Sequence, residues 1–150
     1  MAIVRLTKRF GFEMAHALHG YDGLCAHLHG HSYYLTTTVI GEVLQNPTSP
    51  KNGMVMDFGD LKKIVYEEIV DRCDHALMLN KSQQEEIVIE KEQSKLFQRV
   101  IFVDYQPTSE NMLIDFASRI KRRLPQHIKL HHLILHETNN SSAEWWEDDN

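Results

Sequence analysis

Two long segments near the N-terminus alternate between apolar and polar side chains, and this alternation constrains the fold more than any other feature of the sequence. Within residues 2–17 the apolar side chains share one parity, with Lys8 as the exception and His16 at the end. Residues 29–43 alternate in the same way and are rich in β-branched and aromatic side chains, which suit a pleated surface. We therefore predict two long strands, each with one apolar face.

Helical spacing replaces this alternation in two later segments. Leucine, isoleucine and valine side chains fall on one side of residues 59–72, which predicts a first helix. Pro107–Ser109 offers a Ser or Thr side chain that can cap the free backbone N–H groups of a second helix. Pro125 ends that second helix.

Shorter strands and one polar segment complete the order of elements. Val100–Val103 is a strand-like apolar run, and residues 127–137 and 143–148 predict a third and a fourth strand. Residues 80–95 are polar and indicate a partly helical surface insertion. The order predicts one α+β domain over residues 1–150, with an antiparallel four-stranded sheet, two helices on one face and the order ββααββ.

Composition and cysteine usage argue against several classes of protein. The net charge of -5, with histidines neutral, argues against a general nucleic-acid-binding protein. No apolar run is long enough to span a membrane. Cys25 and Cys73 each lack a CxxC partner, and a disulfide between them stays open. Because no secretory signal is present, we expect two free thiols and a cytoplasmic location.

The chain has ten histidines, and their spacing predicts a metal site. His29 and His31 lie two apart on a predicted strand, so their imidazoles point to the same face. His16 ends the other long strand on a suitable face, and three neutral imidazoles with one open position form the ligand set of a catalytic zinc site. For an isolated H-x-H pair, the alternative is a pair of hydrogen-bonded structural histidines. His27 is predicted to be a non-ligand.

Other titratable side chains lie near this cluster, and each has a structural and a functional interpretation. Cys25 lies four residues before His29 and is either an inert buried thiol or a general base with a lowered pKa. Asp74 beside His75 could orient the ring or share a proton. Glu137 is either a solvated carboxylate or, if buried, a bidentate acceptor for an aminopyrimidine edge.

Six motifs, taken together and in order, carry a resemblance to a known family. They are Phe12–His16, Cys25–His31, Asp57–Phe58, Asp74–His75, Pro107–Asn111 and Glu137–Thr138. In this order they resemble the 6-pyruvoyltetrahydropterin synthase and 6-carboxytetrahydropterin synthase family over nearly the whole chain. The pterin substrate rests on this resemblance alone.

The spacing around the cysteine resembles one subtype of that family. Three residues separate Cys25 from His29, as in the bacterial 6-carboxy type, whereas pyruvoyl-forming enzymes resembling animal ones usually have a longer gap. The implied substrate is 7,8-dihydroneopterin triphosphate. The implied products are 6-carboxy-5,6,7,8-tetrahydropterin, acetaldehyde and triphosphate, in a pathway to queuosine and other 7-deazapurines.

The resemblance also implies a fold, an assembly and a metal. The fold is the tunnelling fold (T-fold), in which subunits close into a barrel, and the assembly is a homohexamer of two trimers with active sites at subunit interfaces. An open sheet suits this assembly because its edge strands need cover. His16, His29 and His31 are implied to bind Zn2+, which holds the side-chain hydroxyls of the substrate.

Catalytic and pterin-binding roles are implied in the same way. Cys25 is the base that moves protons at the side-chain carbons, Asp74 and His75 form a relay, and Glu137 anchors the pterin ring. The implied pocket residues are Thr108, Ser109 and Glu137, whereas Glu110 belongs either to the pocket or to the helix start. Two features depart from the family: the stretch from Lys81 to Phe102 is longer than in compact bacterial members, and the segment after Glu137 lacks the usual basic-glycine ending.

Two alternatives to the 6-carboxy reaction stay open. A sister enzyme on the same scaffold would form the pyruvoyl product or cleave dihydroneopterin as an aldolase does. A non-enzymatic zinc- or pterin-binding protein would have no turnover to lose when Cys25 is replaced. The presence of Cys25, Asp74, His75 and Glu137 together argues against this last alternative.

Overall fold

A computed structural model describes residues 2–87 and 94–150 of the chain. Six strands form one sheet, and helices cover one of its faces. The strands are β1 (Ile3–His16), β2 (His29–Glu42), β3 (Ala76–Asn80), β4 (Val100–Val103), β5 (Ile128–Thr138) and β6 (Ser141–Trp146). The helices with both ends described are α1 (Phe58–Val65), α2 (Asp71–Cys73) and α3 (Ser109–Arg123), and a π-helical turn, Tyr66–Val70, joins α1 to α2. Residues 84–87 are also helical.

The sheet is mixed, with the strand order β4-β3-β1-β2-β5-β6. The pairs β1–β2, β2–β5 and β5–β6 are antiparallel, whereas β3 runs parallel to β1 and β4 runs parallel to β3. The prediction of an antiparallel four-stranded sheet in the order ββααββ is therefore wrong, although the α+β class is right. The missing strand is β3, a five-residue run that is mostly buried and shows no polar alternation. Such a run cannot be assigned by periodicity.

The two long strands and the two helical segments match their predictions closely. The inner face of β2 carries Tyr33, Leu35, Thr37 and Val39, and none of these side chains is exposed. Alternate residues lie on the other face, as the pleat requires. The helical stretch from Phe58 to Cys73 agrees with the predicted segment to within one residue at each end.

Aromatic side chains join the sheet to the second long helix. The rings of Phe12 in β1 and Tyr33 in β2 stack with their centroids 5.3 Å apart. Phe116 of α3 meets Phe12 edge to face at 6.3 Å. Offset-stacked and edge-to-face pairs are the favoured geometries for aromatic rings. This packing holds α3, and the loop before it, against the ends of β1 and β2.

The predicted polar insertion is only partly described, because residues 88–93 lie outside the described residues. Its flanks contain two 3-10 turns, Lys81–Gln83 and Lys95–Phe97. Both cysteines are free thiols, as expected. Among the described residues, no helix has the length and apolar character needed to cross a membrane.

Candidate metal centre and adjoining cavity

Three histidines meet where β1 ends and β2 begins. His16 is the register partner of His29 in the antiparallel pair, and His31 lies two residues further along β2 on the same face. One ring nitrogen from each histidine lies within 4.8 Å of the others, and the Nε2 atoms of His16 and His29 are 3.1 Å apart. Tetrahedral ligands at about 2.0–2.1 Å from zinc would be about 3.3–3.4 Å from one another. The cluster is therefore close to the size that a metal ion needs.

Backbone carbonyl groups fix the orientation of two of these rings. The Nδ1–H of His16 donates to the carbonyl oxygen of Pro107 at 2.8 Å, and the Nδ1–H of His29 donates to that of His27 at 2.7 Å. Each bond leaves the lone pair on Nε2, directed toward the cluster. A metal-binding histidine usually donates its other N–H to a carboxylate or a carbonyl in this way.

The third ring carries a buried nitrogen that lacks a partner. The Nε2 atom of His31 is buried, and it has no hydrogen-bond partner within residues 2–87 and 94–150. The nearest carboxylate oxygen, Oε1 of Glu137, lies 3.5 Å away. A buried polar atom without a partner is uncommon in a folded protein. A metal ion bound by the three imidazoles would satisfy it, so the residues present fit a divalent cation.

Burial favours the neutral form of two of these imidazoles, those of His16 and His31. It lowers the pKa of His16 below its ordinary value, and the neighbouring His29 and His31 add to this effect. Burial likewise lowers the pKa of His31, although Glu137 opposes the change. Because only a neutral imidazole can donate its lone pair, the protein holds these two histidines in the form that binds metal.

A cavity of about 300 Å³ adjoins the cluster and contains several of the predicted site residues. His16 and the half-buried Cys25 lie on its walls, together with Glu137. The hydroxyl of Ser109 donates to Oε2 of Glu137 at 2.8 Å. The cavity thus joins a histidine cluster that could hold a metal ion, a thiol and a hydrogen-bonded carboxylate. Its other lining residues are Leu18, Tyr21, Thr108, Glu110, Ser141, Ser142 and Ala143.

The start of α3 explains how Thr108 and Ser109 reach this cavity. Thr108 is the N-cap, and its side-chain oxygen accepts from the backbone N–H of Asn111 at 3.3 Å. The cap therefore uses the hydroxyl of Thr108, whereas Ser109 contacts Glu137. Glu110 also lines the cavity, although its position in the first helical turn had left its role open.

Tyr21 lines the cavity as well and was missed by the sequence analysis. It lies in the loop between β1 and β2, where neither helical nor strand periodicity marks a buried position. A Cβ atom at Gly23 would come within 2.6 Å of the Tyr21 ring, so glycine leaves room for this ring. Tyr21 is recognised as a site residue only from its place on the cavity wall in the folded chain.

Asp74 and His75 lie elsewhere in the same chain. His75 lines a second cavity of about 530 Å³, together with Glu13, His31 and Arg99. Nδ1 of His75 is 3.0 Å from Oδ2 of Asp74, so the carboxylate orients the ring. The backbone N–H of Glu13 donates to Asp74 at 2.9 Å. This bond and the contact with His75 hold the pKa of Asp74 below its ordinary value.

Comparisons with known proteins show the family to which the chain belongs. The sequence profile of the 6-pyruvoyl tetrahydropterin synthase family matches residues 5–148. The chain belongs to this family of lyase-type enzymes.

Two relatives and one solved structure show which members of the family this chain resembles. The chain is 34% identical over 143 residues to the 6-carboxy-5,6,7,8-tetrahydropterin synthase of Haemophilus influenzae, covering 95% of this chain and 99% of the relative. It is 32% identical over 140 residues to the dihydroneopterin monophosphate aldolase of Pyrococcus furiosus, covering 93% and 95% of the two chains. Among solved structures, the 6-pyruvoyl tetrahydropterin synthase of Caenorhabditis elegans is similar with a TM-score of 0.67 and 26% identity, over 97% and 96% of the two chains.

Proposed function

We propose that this protein converts 7,8-dihydroneopterin triphosphate and one water molecule to 6-carboxy-5,6,7,8-tetrahydropterin, acetaldehyde and triphosphate, with zinc as its metal. The observation that carries the proposal is the cavity beside the three histidines, which holds a thiol and a hydrogen-bonded carboxylate. The similarity to the Haemophilus influenzae enzyme over 95% of the chain supports the same reaction. The place of this reaction in 7-deazapurine biosynthesis, a cytoplasmic location and one domain over residues 1–150 belong to the same proposal.

His16, His29 and His31 would hold the zinc ion. When bound, zinc supplies a Lewis acid that makes the hydroxyl protons of the substrate side chain more acidic, which favours enolisation and retro-aldol cleavage. The protein's own part is to hold the rings in place through the carbonyl groups of His27 and Pro107.

Cys25 and Glu137 face the same cavity and suit two different tasks. Cys25 would take and return protons at the side-chain carbons, because a thiolate near a dication is stabilised. Glu137 would accept two hydrogen bonds from the aminopyrimidine edge of the pterin. Ser109 holds one oxygen of that carboxylate in place, and Thr108 lies beside it at the start of α3.

We further propose that Asp74 and His75 act in the cavity of a neighbouring copy of the chain. Within one chain His75 lines the second cavity, whereas Cys25 lines the first. The His75 side chain is 75% exposed, so a partner's substrate can reach it. The sheet ends in β4 and β6, whose outer edges need cover, which suits closure into a ring and a homohexamer of two trimers.

A second candidate reaction is the aldolase-type cleavage of dihydroneopterin. The 32% identity to the Pyrococcus furiosus aldolase over 93% of the chain favours it. The two reactions share a carbon–carbon cleavage and differ in the two-carbon fragment released. Glycolaldehyde, still esterified to the phosphate groups of the substrate, would indicate the aldolase. Acetaldehyde would indicate the 6-carboxy reaction, and a pyruvoyl-pterin the remaining sister activity.

The test is to incubate zinc-loaded protein with 7,8-dihydroneopterin triphosphate and to identify both products by mass. We expect acetaldehyde and the 6-carboxy pterin, and we expect Cys25→Ser to lower their rate of formation by at least about a hundredfold, since it removes the base. Gln126→Ala, on an exposed residue outside the site cavity, is the control and should leave the rate unchanged. No consumption of substrate by zinc-loaded protein would refute the proposal.

A further inference from the structure

Arg99 lies just before β4 and reaches back to the end of the first helical segment. Its Nη2 atom donates to the carbonyl oxygens of Asp71 and Asp74, both at 3.0 Å, and lies 3.4 Å from that of Arg72. The last carbonyl groups of a helix have no partner within the helix, and a cation is favourable there. One guanidinium group therefore satisfies the C-terminal end of α2.

The contact with Asp74 is more specific than a helix cap. The carbonyl group of Asp74 belongs to the peptide bond that joins Asp74 to His75. His75 has a φ of 58°, in the left-handed region that residues other than glycine rarely adopt. Surrounding contacts must therefore hold this residue in its conformation.

Two further contacts hold the same junction from the other side. The backbone N–H of His75 donates to the carbonyl oxygen of Glu13 at 2.6 Å, and Asp74 accepts from the N–H of Glu13 at 2.9 Å. These bonds dock the junction onto β1. They do not engage the carbonyl oxygen of Asp74, which is held by Arg99.

We propose that Arg99 is a positioning residue that fixes the orientation of the Asp74–His75 pair through the peptide bond between them. The inference rests on the proposed function, in which that pair takes part in proton transfer. The backbone of Arg99 is held independently, since the N–H of Leu77 donates to its carbonyl oxygen at 2.8 Å.

The kinetic test compares Arg99→Gln with Arg122→Gln. Arg122 is exposed in α3, and in the described part of the chain its side chain has no hydrogen bond or ion pair, which makes it a matched control. We expect Arg99→Gln to lower kcat by about ten- to a hundredfold, as displacement of a catalytic group does, with KM changed less than about twofold. Arg122→Gln should leave both unchanged. Wild-type kcat in Arg99→Gln would overturn the inference.

A double-mutant cycle separates positioning from a general effect on the fold. If Arg99 acts through His75, adding Arg99→Gln to His75→Ala should lower kcat no further. The same additional loss in both backgrounds would show that Arg99 only stabilises the fold, and it would overturn the inference. Arg99→Lys keeps a donor and a charge, so it replaces Arg99→Gln in this test if the glutamine variant does not fold. We expect the lysine variant to lose activity only partly.

Hydrogen exchange gives a readout that does not need turnover. The N–H of His75 should exchange at least about tenfold faster in the Arg99 variants than in the wild type, because its local structure opens more often. Unchanged exchange at the Asp74–His75 junction would overturn the inference. If the wild type consumes no pterin, the proposed function fails, and exchange still decides whether Arg99 holds the junction.

Discussion

At the scale of single residues, the meeting of the three histidines could be predicted because it depends on strand parity. His29 and His31 share a face whenever β2 is a strand, and His16 follows from the register of β1 and β2. The position of His75 could not be predicted, because it depends on a left-handed φ and on contacts with a distant strand. The position of Tyr21 could not be predicted for a similar reason, because nothing in the sequence around it indicates that it lines a cavity.

A buried threonine gives a prediction at this scale. The Thr37 side chain is fully buried, and its hydroxyl has no hydrogen-bond partner among the described residues. An unsatisfied buried hydroxyl is costly, so Thr37→Val should raise the free energy of unfolding by about 1 kcal/mol. Urea unfolding would measure the change.

The neighbouring threonine is the control. The hydroxyls of Thr38 and Thr7 are hydrogen-bonded at 2.9 Å, so Thr38→Val should lower the free energy of unfolding by about 1 kcal/mol. Equal effects of the two substitutions would contradict the assignment of partners in the sheet.

At the scale of elements, long periodic segments were predicted and short buried ones were not. β1, β2 and both helical segments have enough turns or alternations to reveal their period. β3 has five residues, and its parallel pairing with β1 depends on where the preceding helical segment ends in space. That position is set by tertiary packing, and local periodicity contains no information about it.

The cap of α3 provides a prediction at the scale of elements. Thr108→Ala removes the side-chain oxygen that accepts from Asn111, and it should lower the free energy of unfolding by about 1 kcal/mol. Thr108→Ser keeps the oxygen and should stay within a few tenths of a kcal/mol of the wild type. If the alanine variant were as stable as the serine variant in urea unfolding, the hydroxyl would contribute nothing as a cap.

At the scale of the whole molecule, the two groups of site residues line different cavities, and this bears on how copies of the chain assemble. One chain places Cys25 and Glu137 on the first cavity and His75 on the second. The sequence alone could suggest both groups of residues but not their separation, because the distance between them depends on the complete sheet. Shared sites between copies would bring the two groups together.

Mixing inactive variants tests for shared sites. Cys25→Ser and His75→Ala should each be nearly inactive alone. After joint refolding in equal amounts, activity should return to about a quarter of the wild-type value. A shared site needs an intact Cys25 from one copy and an intact His75 from another, and random assembly brings these together in about a quarter of the sites. Activity that stays at the level of the separate variants would contradict a site shared between copies.

Removal of metal tests the central claim most directly. Metal content and turnover should be measured on the same samples of the wild type, of chelator-treated protein and of His29→Ala. We expect about one zinc ion per chain in the wild type, loss of zinc and turnover together in the other two samples, and recovery of the treated protein when zinc is returned. Turnover at the wild-type rate in protein shown to be free of metal would contradict a catalytic centre held by His16, His29 and His31.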